Sequence, residues 1–237
     1  MKYLICFDMD RVLVDHMSTW QYVYDRLDIS NEEAFNLYNQ GKLDEWDWLK
    51  MDLAMIKAAY PEINDQKMRE LCQGTPLMHG LKETLQWILD EGHEIAIISG
   101  GMQETARDIA CMFPSDEPWR RRWGGINRHR GMDTKFHVFT NGWLERNDGS
   151  IDDYGRYQVQ MNGKGSIVRM LQRRLDIPKE RTISIGDSAG DIGMFQQSEL
   201  SICFNPWDEK PVAIAKMTIR SRDLIDVLDA IKKHIKE

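Results

Sequence analysis

The runs Tyr3–Phe7, Glu94–Ile98, Arg181–Ile185 and Leu200–Phe204 constrain this chain most. Each has the length of a strand and is dominated by apolar, β-prone residues, the pattern of strands covered on both faces. Helical segments accompany them at Leu81–Glu91, Met102–Met112, Gly165–Leu175, Ile192–Gln197 and Asp223–Ile235, with a weaker strand at Met217–Ile219. This alternation predicts an α/β fold, a parallel sheet with helices on both faces. Two stretches break the pattern. Asp15 to Thr75 carries no strand signal and reads as helices Ser18–Leu27, Asn31–Gln40, Asp44–Tyr60 and Asn64–Gln73, punctuated by Gly41, Pro61 and Gly74. In Phe136–Gln160, β-prone Phe136–Thr140, Trp143–Arg146 and Tyr157–Gln160 surround the turn signals Asn141-Gly142 and Asn147-Asp148-Gly149. They predict a small antiparallel flap.

A length of 237 residues suits one α/β domain with an inserted module. A net charge of -7 argues against general nucleic-acid binding. The basic stretch Trp119-Arg120-Arg121-Arg122-Trp123, followed by Arg128, His129, Arg130 and Lys135, reads as a solvated or internally paired surface. No apolar stretch approaches the roughly 20 residues needed to span a bilayer. The chain enters a strand at once, without the features of a signal peptide, and its cysteines lack metal-ligand spacing; a cytoplasmic protein is expected.

Chemistry gathers where the strands end. The first runs into Asp8-Met9-Asp10, two carboxylates that need a cation or hydrogen-bond donors. Asp8 can serve as nucleophile and Asp10 as proton donor, the roles phosphoryl transfer requires, although a solvated turn has the same composition. The second ends in Ser99-Gly100-Gly101 before a helix, where a hydroxyl and backbone N–H groups offer an anion site or an ordinary helix cap. The third ends in Gly186-Asp187-Ser188-Ala189-Gly190-Asp191, and Lys164 lies just ahead of a helix. In open parallel sheets, ligands bind beyond the carboxyl ends of the strands.

In this order, Asp8-x-Asp10, Ser99, Lys164 and Gly186-Asp187-x-x-x-Asp191 resemble the four motifs of the haloacid dehalogenase superfamily. The likeness is closest to its phosphoserine-phosphatase-like branch. Gly41-Lys42-Leu43, Thr75-Pro76, Gly80, Ile126-Asn127-Arg128, Met194-Phe195 and Arg222-Asp223-Leu224 extend it over nearly the whole chain. The resemblance implies a Rossmann-like core, residues 1–14 and 76–237, with a helical cap of the C1 type inserted at 15–75. It also implies that Asp8 attacks phosphorus, while Asp10 protonates the leaving alkoxide and then activates water. Mg²⁺ would be held by Asp8, the carbonyl of Asp10 and Asp187, with Asp191 beside them. Ser99, the amide of Gly100, and Lys164 would hold the phosphoryl oxygens. An acid at Asp10 favours a phosphatase over a dehalogenase, whose halide leaves unprotonated.

The chain departs from the branch where phosphoserine specificity is encoded. Met17 stands where a cap glutamate meets the substrate amino group, and Asp52 where an arginine meets its carboxylate, with Lys50 and Lys57 nearby. Gly190 replaces an asparagine. Arg11 is a further departure, either reaching into the cleft toward an anionic group or folding outward onto Asp15. The cap aromatics, including Trp20, Tyr24, Trp46 and Trp48, read foremost as packing at helical spacing. The competing reading is an aromatic, acidic pocket for a cationic leaving group such as choline or ethanolamine. The expected function is a Mg²⁺-dependent phosphomonoesterase acting on a small metabolite, without nucleic-acid or membrane partners. Phosphoserine phosphatase proper, a phosphotransferase or mutase, and a non-catalytic binding protein are the alternatives. The sequence does not specify the oligomeric state.

Overall fold

The computed structural model describes residues 1–113 and 136–236. Six parallel strands form one sheet: β1 (Leu4–Phe7), β2 (Glu94–Met102), β3 (Phe136–Asn141), β4 (Thr182–Gly186), β5 (Leu200–Phe204) and β6 (Met217–Ile219), in the order β3-β2-β1-β4-β5-β6. The direction of winding changes between β1 and β4, and β1 lies in register with both β2 and β4. Asp8, Ser99 and Asp187 therefore leave three adjacent strands at one edge of the sheet. That edge is the crevice in which open parallel sheets take ligands.

The ten helices described are α1 (Thr19–Leu27), α2 (Glu32–Asn39), α3 (Glu45–Ala59), α4 (Asp65–Cys72), α5 (Leu81–Asp90), α6 (Gln103–Cys111), α7 (Lys164–Leu175), α8 (Ile192–Phe195), α9 (Glu209–Val212) and α10 (Leu224–Lys236). Alternate residues of each strand face opposite layers. Ile5, Phe7, Ile95, Ile97, Ile183 and Ile185 pack with residues of α5, α6 and α10. Leu4, Cys6, Ala96 and Ile98 pack with Val168 and Leu171 of α7 and Met194 of α8.

Helices α1, α3 and α4 form a third apolar cluster around Val23, Leu53, Ile56 and Met68. Met102, Trp143 and Ile151 complete it from distant parts of the chain. Local chemistry starts these helices as the sequence suggests: the side chains of Ser18, Asp44 and Asn64 accept hydrogen bonds from the first-turn amides of Trp20, Asp47 and Lys67.

Phe136–Gln160 differs from the expected flap. Phe136–Asn141 joins the main sheet as a fully buried parallel strand beside β2. The chain reverses only after it, through antiparallel bridges Gly142–Arg156 and Glu145–Ile151, and Tyr157–Gln160 forms no strand. Burial on both faces, set by the neighbouring β2 and the layers above and below, decided this over the local turn signal. The reversal serves the helical layer: Trp143 Nε1 donates to Asp65 Oδ1 at 2.9 Å, and the Asp65 amide donates to the Gly149 carbonyl at 3.1 Å. The basic stretch from Trp119 to Lys135, with Ile126-Asn127-Arg128, lies outside the described residues. Among those residues, no helix is long and apolar enough to cross a membrane.

Candidate active site

Asp8 follows β1 directly and is buried, as is Lys164 at the first position of α7. Lys164 Nζ stands 2.9 Å from Asp8 Oδ1 and 2.7 Å from Asp191 Oδ1. Burial works against the ammonium charge, but Asp191 and Asp8 outweigh it and hold Lys164 firmly protonated. Asp191 is fully enclosed, and its other oxygen, Oδ2, accepts from the amides of Asp187 at 2.9 Å and Ser188 at 3.1 Å. With both oxygens engaged, Asp191 orients Lys164 and the turn after β4.

Asp10 is bound by the start of α1. The Thr19 amide donates to Asp10 Oδ1 at 3.0 Å, and the Thr19 hydroxyl reaches Oδ2 at 3.5 Å while accepting from the Met102 amide at 2.8 Å. Burial and the neighbouring Asp8 charge push the Asp10 pKa up to about 7, against the pull of the Thr19 donors. A carboxyl tuned to that range can both give and take a proton near neutral pH.

Strand β2 continues through Ser99 and Gly100 to Met102, with an irregular step in its pairing to β3, so Ser99 lies four residues ahead of α6. Ser99 accepts a hydrogen bond from the Gly101 amide at 3.1 Å, and the Gly100 carbonyl accepts from Trp20 Nε1 at 3.0 Å. Gly101 is required by space. A Cβ there would stand 2.6 Å from Thr19 Oγ1 and 2.8 Å from Asp10 Oδ2.

Arg11 lines the cavity but is held there by the protein, and it does not fold outward onto Asp15. Its Nε donates to Asp187 Oδ2 at 2.9 Å, its Nη2 donates to the Asn205 carbonyl at 2.8 Å, and its guanidinium lies 5.2 Å from the centre of the Trp207 ring. Asp15 pairs instead with Arg222. Arg11 adopts a left-handed φ of 61°, a strain of about 1 kcal/mol for a residue with a Cβ. The Asp187 pair, the Asn205 carbonyl and the Trp207 face offset it. Asn205 closes the arrangement by donating through Nδ2 to the Arg11 carbonyl at 3.2 Å.

Oxygens of Asp8, Asp187 and Asp191 lie within 4.8 Å of one another. Burial, followed by the Asp191 and Asp8 charges, pushes the Asp187 pKa up to about 8 despite Lys164 and Arg11. Four carboxylates here, counting Asp10, face two basic side chains, a deficit that one divalent cation would neutralise. Hard oxygen donors of this kind fit Mg²⁺. Asp8 and Asp187 are the better placed to hold it, because Asp191 is saturated by protein donors.

These groups open onto a cavity of about 400 Å³, which also reaches Met17, Asp52, Ser99, Gly100 and Gly190. Met17 is 44% exposed, whereas Asp52 on α3 is only 6% exposed. Lys50 and Lys57 pair with Asp47 and Asp153 and do not line the cavity. Burial pushes the Asp52 pKa up to about 7, moderated by Tyr24, Asn31 and Trp48 around it. A carboxyl raised in the folded state contributes most below its unfolded value near 4, and that contribution is lost as pH rises toward 7. Asp52→Asn is therefore expected to melt with the native chain near pH 4 and above it at pH 8. The shift corresponds to as much as about 4 kcal/mol, read by thermal melts across pH. Equal melting at both pH values would contradict this.

Several site residues escaped the sequence reading. Thr19 stands out only as the start of a helix and Trp20 only as one of the cap aromatics, and nothing local shows that they reach Asp10 and Gly100. Asn141 carried a signal but was read as a turn. Its side chain binds Gln158 N, Val159 N and Val159 O, holding the approach to Lys164. Asn205 and Trp207 follow a strand end, a position that could have marked them.

Comparison with known proteins agrees with this geometry. A family described as haloacid dehalogenase-like hydrolase matches residues 159–231. Phosphoserine phosphatase of Methanocaldococcus jannaschii is 26% identical over 238 residues, with 98% of each chain covered. That of Idiomarina loihiensis is 25% identical, covering 97% of this chain and 94% of the other. A solved structure titled as a substrate-bound phosphoserine phosphatase complex superposes with a TM-score of 0.72 at 22% identity, over 97% of this chain and 98% of that one. Sheet order, the acidic strand ends and these likenesses agree: the chain is similar to phosphoserine phosphatases over nearly its whole length and to haloacid dehalogenase-like hydrolases over residues 159–231.

Proposed function

We propose that this protein is a Mg²⁺-dependent phosphomonoester hydrolase acting on a small phosphorylated metabolite through an aspartyl-phosphate on Asp8. The observation that carries the reading is the placement at one strand end of two carboxyls with different partners. Asp8 stands 2.9 Å from Lys164 Nζ, while Asp10, two residues on, is bound by the Thr19 amide and pushed up to about 7. One can attack while the other moves protons.

Asp8 attacks phosphorus, the ester P–O bond breaks, and Asp10 gives its proton to the departing alkoxide. Asp10 then takes a proton from water, whose oxygen attacks the aspartyl-phosphate to release inorganic phosphate and free Asp8. Ser99, the Gly100 amide and Lys164 hold the phosphoryl oxygens, so the protein's contribution is positioning and charge compensation. Bound Mg²⁺, held by Asp8, the Asp10 carbonyl and Asp187, supplies a Lewis acid for phosphoryl oxygen. Helices α1–α4 act as a cap over the remaining core and screen the cleft from bulk water.

A panel of phosphomonoesters assayed with Mg²⁺ or with EDTA tests the proposal. Phosphate release that needs the metal and returns when Mg²⁺ is restored is the expected result. No release from any ester with Mg²⁺, or release indifferent to EDTA, would refute it.

A further inference from the structure

The cap end of the cavity differs in charge from the catalytic end. Among the described residues lining the cavity, the basic side chains are Arg11 and Lys164, both at the catalytic end and both already paired with carboxylates. The cap end presents Glu45 and Asp52. Glu45 is satisfied, since its carboxylate accepts from the Tyr38 and Tyr157 hydroxyls and from the Met161 amide. Asp52 differs in having only neutral neighbours. It is nine-tenths buried and lines the cavity, and no basic side chain among the described residues pairs with it. Tyr24, Asn31 and Trp48 beside it are neutral donors that moderate its charge without supplying a cation. A carboxylate left so enclosed lacks a counter-charge.

The same walls carry aromatic side chains. Trp20 and Tyr24 lie 6.3 Å apart between ring centres, and Phe35 and Trp48 lie 6.0 Å apart, all four lining the cavity. Aromatic faces beside an anion attract an ammonium group. A carboxylate in the same place would meet Asp52 with no cation to offset the repulsion.

Resting on the phosphatase reading above, we propose that the cavity selects phosphomonoesters whose leaving alcohol carries an ammonium group and no carboxylate, with Asp52 as the counter-charge. The ester oxygen then leaves as an amino alcohol, protonated by Asp10, and the phosphoryl group passes through Asp8 to water.

The test compares O-phosphoethanolamine, phosphocholine, the carbon isostere 3,3-dimethylbutyl phosphate and O-phosphoserine on the native enzyme with Mg²⁺ and on Asp52→Asn. The native enzyme is expected to favour phosphocholine over its carbon isostere, and phosphoethanolamine over phosphoserine, each by about tenfold or more in kcat/KM. Asp52→Asn should bring both ratios close to one, an outcome that a purely structural role would not produce. Ratios near one in the native enzyme, ratios unmoved by the substitution, or phosphoserine equal to phosphoethanolamine would overturn the proposal. A larger effect for phosphoethanolamine marks direct pairing of a primary ammonium with Asp52. A larger effect for phosphocholine marks the aromatic faces as its support.

Two readouts separate this proposal from the one beneath it. Hydrolysis of 4-nitrophenyl phosphate reports the phosphatase reading whatever the leaving-group preference. Equilibrium binding of the four esters to Asp8→Asn reports the preference without turnover. If neither 4-nitrophenyl phosphate nor any of the four esters is hydrolysed, the hydrolase reading falls and the binding ratios alone decide the ammonium preference.

Discussion

Asp8→Asn is expected to abolish phosphate release, lowering turnover on the order of 10⁴- to 10⁶-fold, as loss of a covalent nucleophile does. The substitution is nearly isosteric, and Lys164 keeps Asp191 as a partner at 2.7 Å, so the variant should fold. It also removes one charge from a site with more carboxylates than cations. Its melting temperature should therefore equal or exceed that of the native chain at pH 8. The combination is diagnostic: no turnover, intact fold and retained ester binding. Activity within tenfold of native would show that Asp8 is not the attacking group.

Lys164→Met should instead act on the fold. Lys164 is 3% exposed and stands between Asp8 and Asp191, and its removal leaves two carboxylates confronting each other without their cation. Breaking a buried pair from one side costs about 3–5 kcal/mol, roughly 10 °C in melting temperature for a chain of this size. Burial already raises Asp8 above the ordinary carboxylate range, and without Lys164 it would rise further. The loss should therefore be small near pH 4, where the unfolded carboxylates also take up protons, and grow as pH rises. Added Mg²⁺ should recover part of it by restoring positive charge. Melts at pH 5 and pH 8, with and without the metal, test all three statements. An unchanged melt at pH 8 would show that this lysine does not stabilise the carboxylates.

The parts legible in the sequence were those governed by local pattern. The apolar runs leading into Asp8, Ser99 and Asp187 showed strands, and their polar ends showed where chemistry collects. Helices α1, α3 and α4 begin after Ser18, Asp44 and Asn64, the polar residues at which the sequence reading started them. What could not be read depends on pairings across the chain. Phe136–Thr140 was read as a hairpin arm because Asn141-Gly142 is a strong local turn; that β2 would lie beside it in parallel is a tertiary fact. Arg11 meets Asp187 and Asn205, residues brought close only by the neighbouring ends of β1, β4 and β5. Asp52 stood out only through the resemblance, at the place of a substrate-binding arginine, and nothing local showed it to be buried. Its burial follows from how α3 seats against α1 and cannot be inferred from its neighbours in sequence.

The cluster shared by α1, α3 and α4 with Trp143 and Ile151 has a consequence for synthesis. A ribosome releases the helices first and the residues that finish their core much later, after β2 and α6. Until then Val23, Leu53 and Met68 lack part of their cover, and Asp65 lacks its bond from the Trp143 indole. Contacts so distant in sequence form slowly, because a long loop must close before they stabilise anything. The helical layer thus emerges early and is among the last to set, leaving the nascent chain dependent on whatever shields an incomplete apolar surface in the interval.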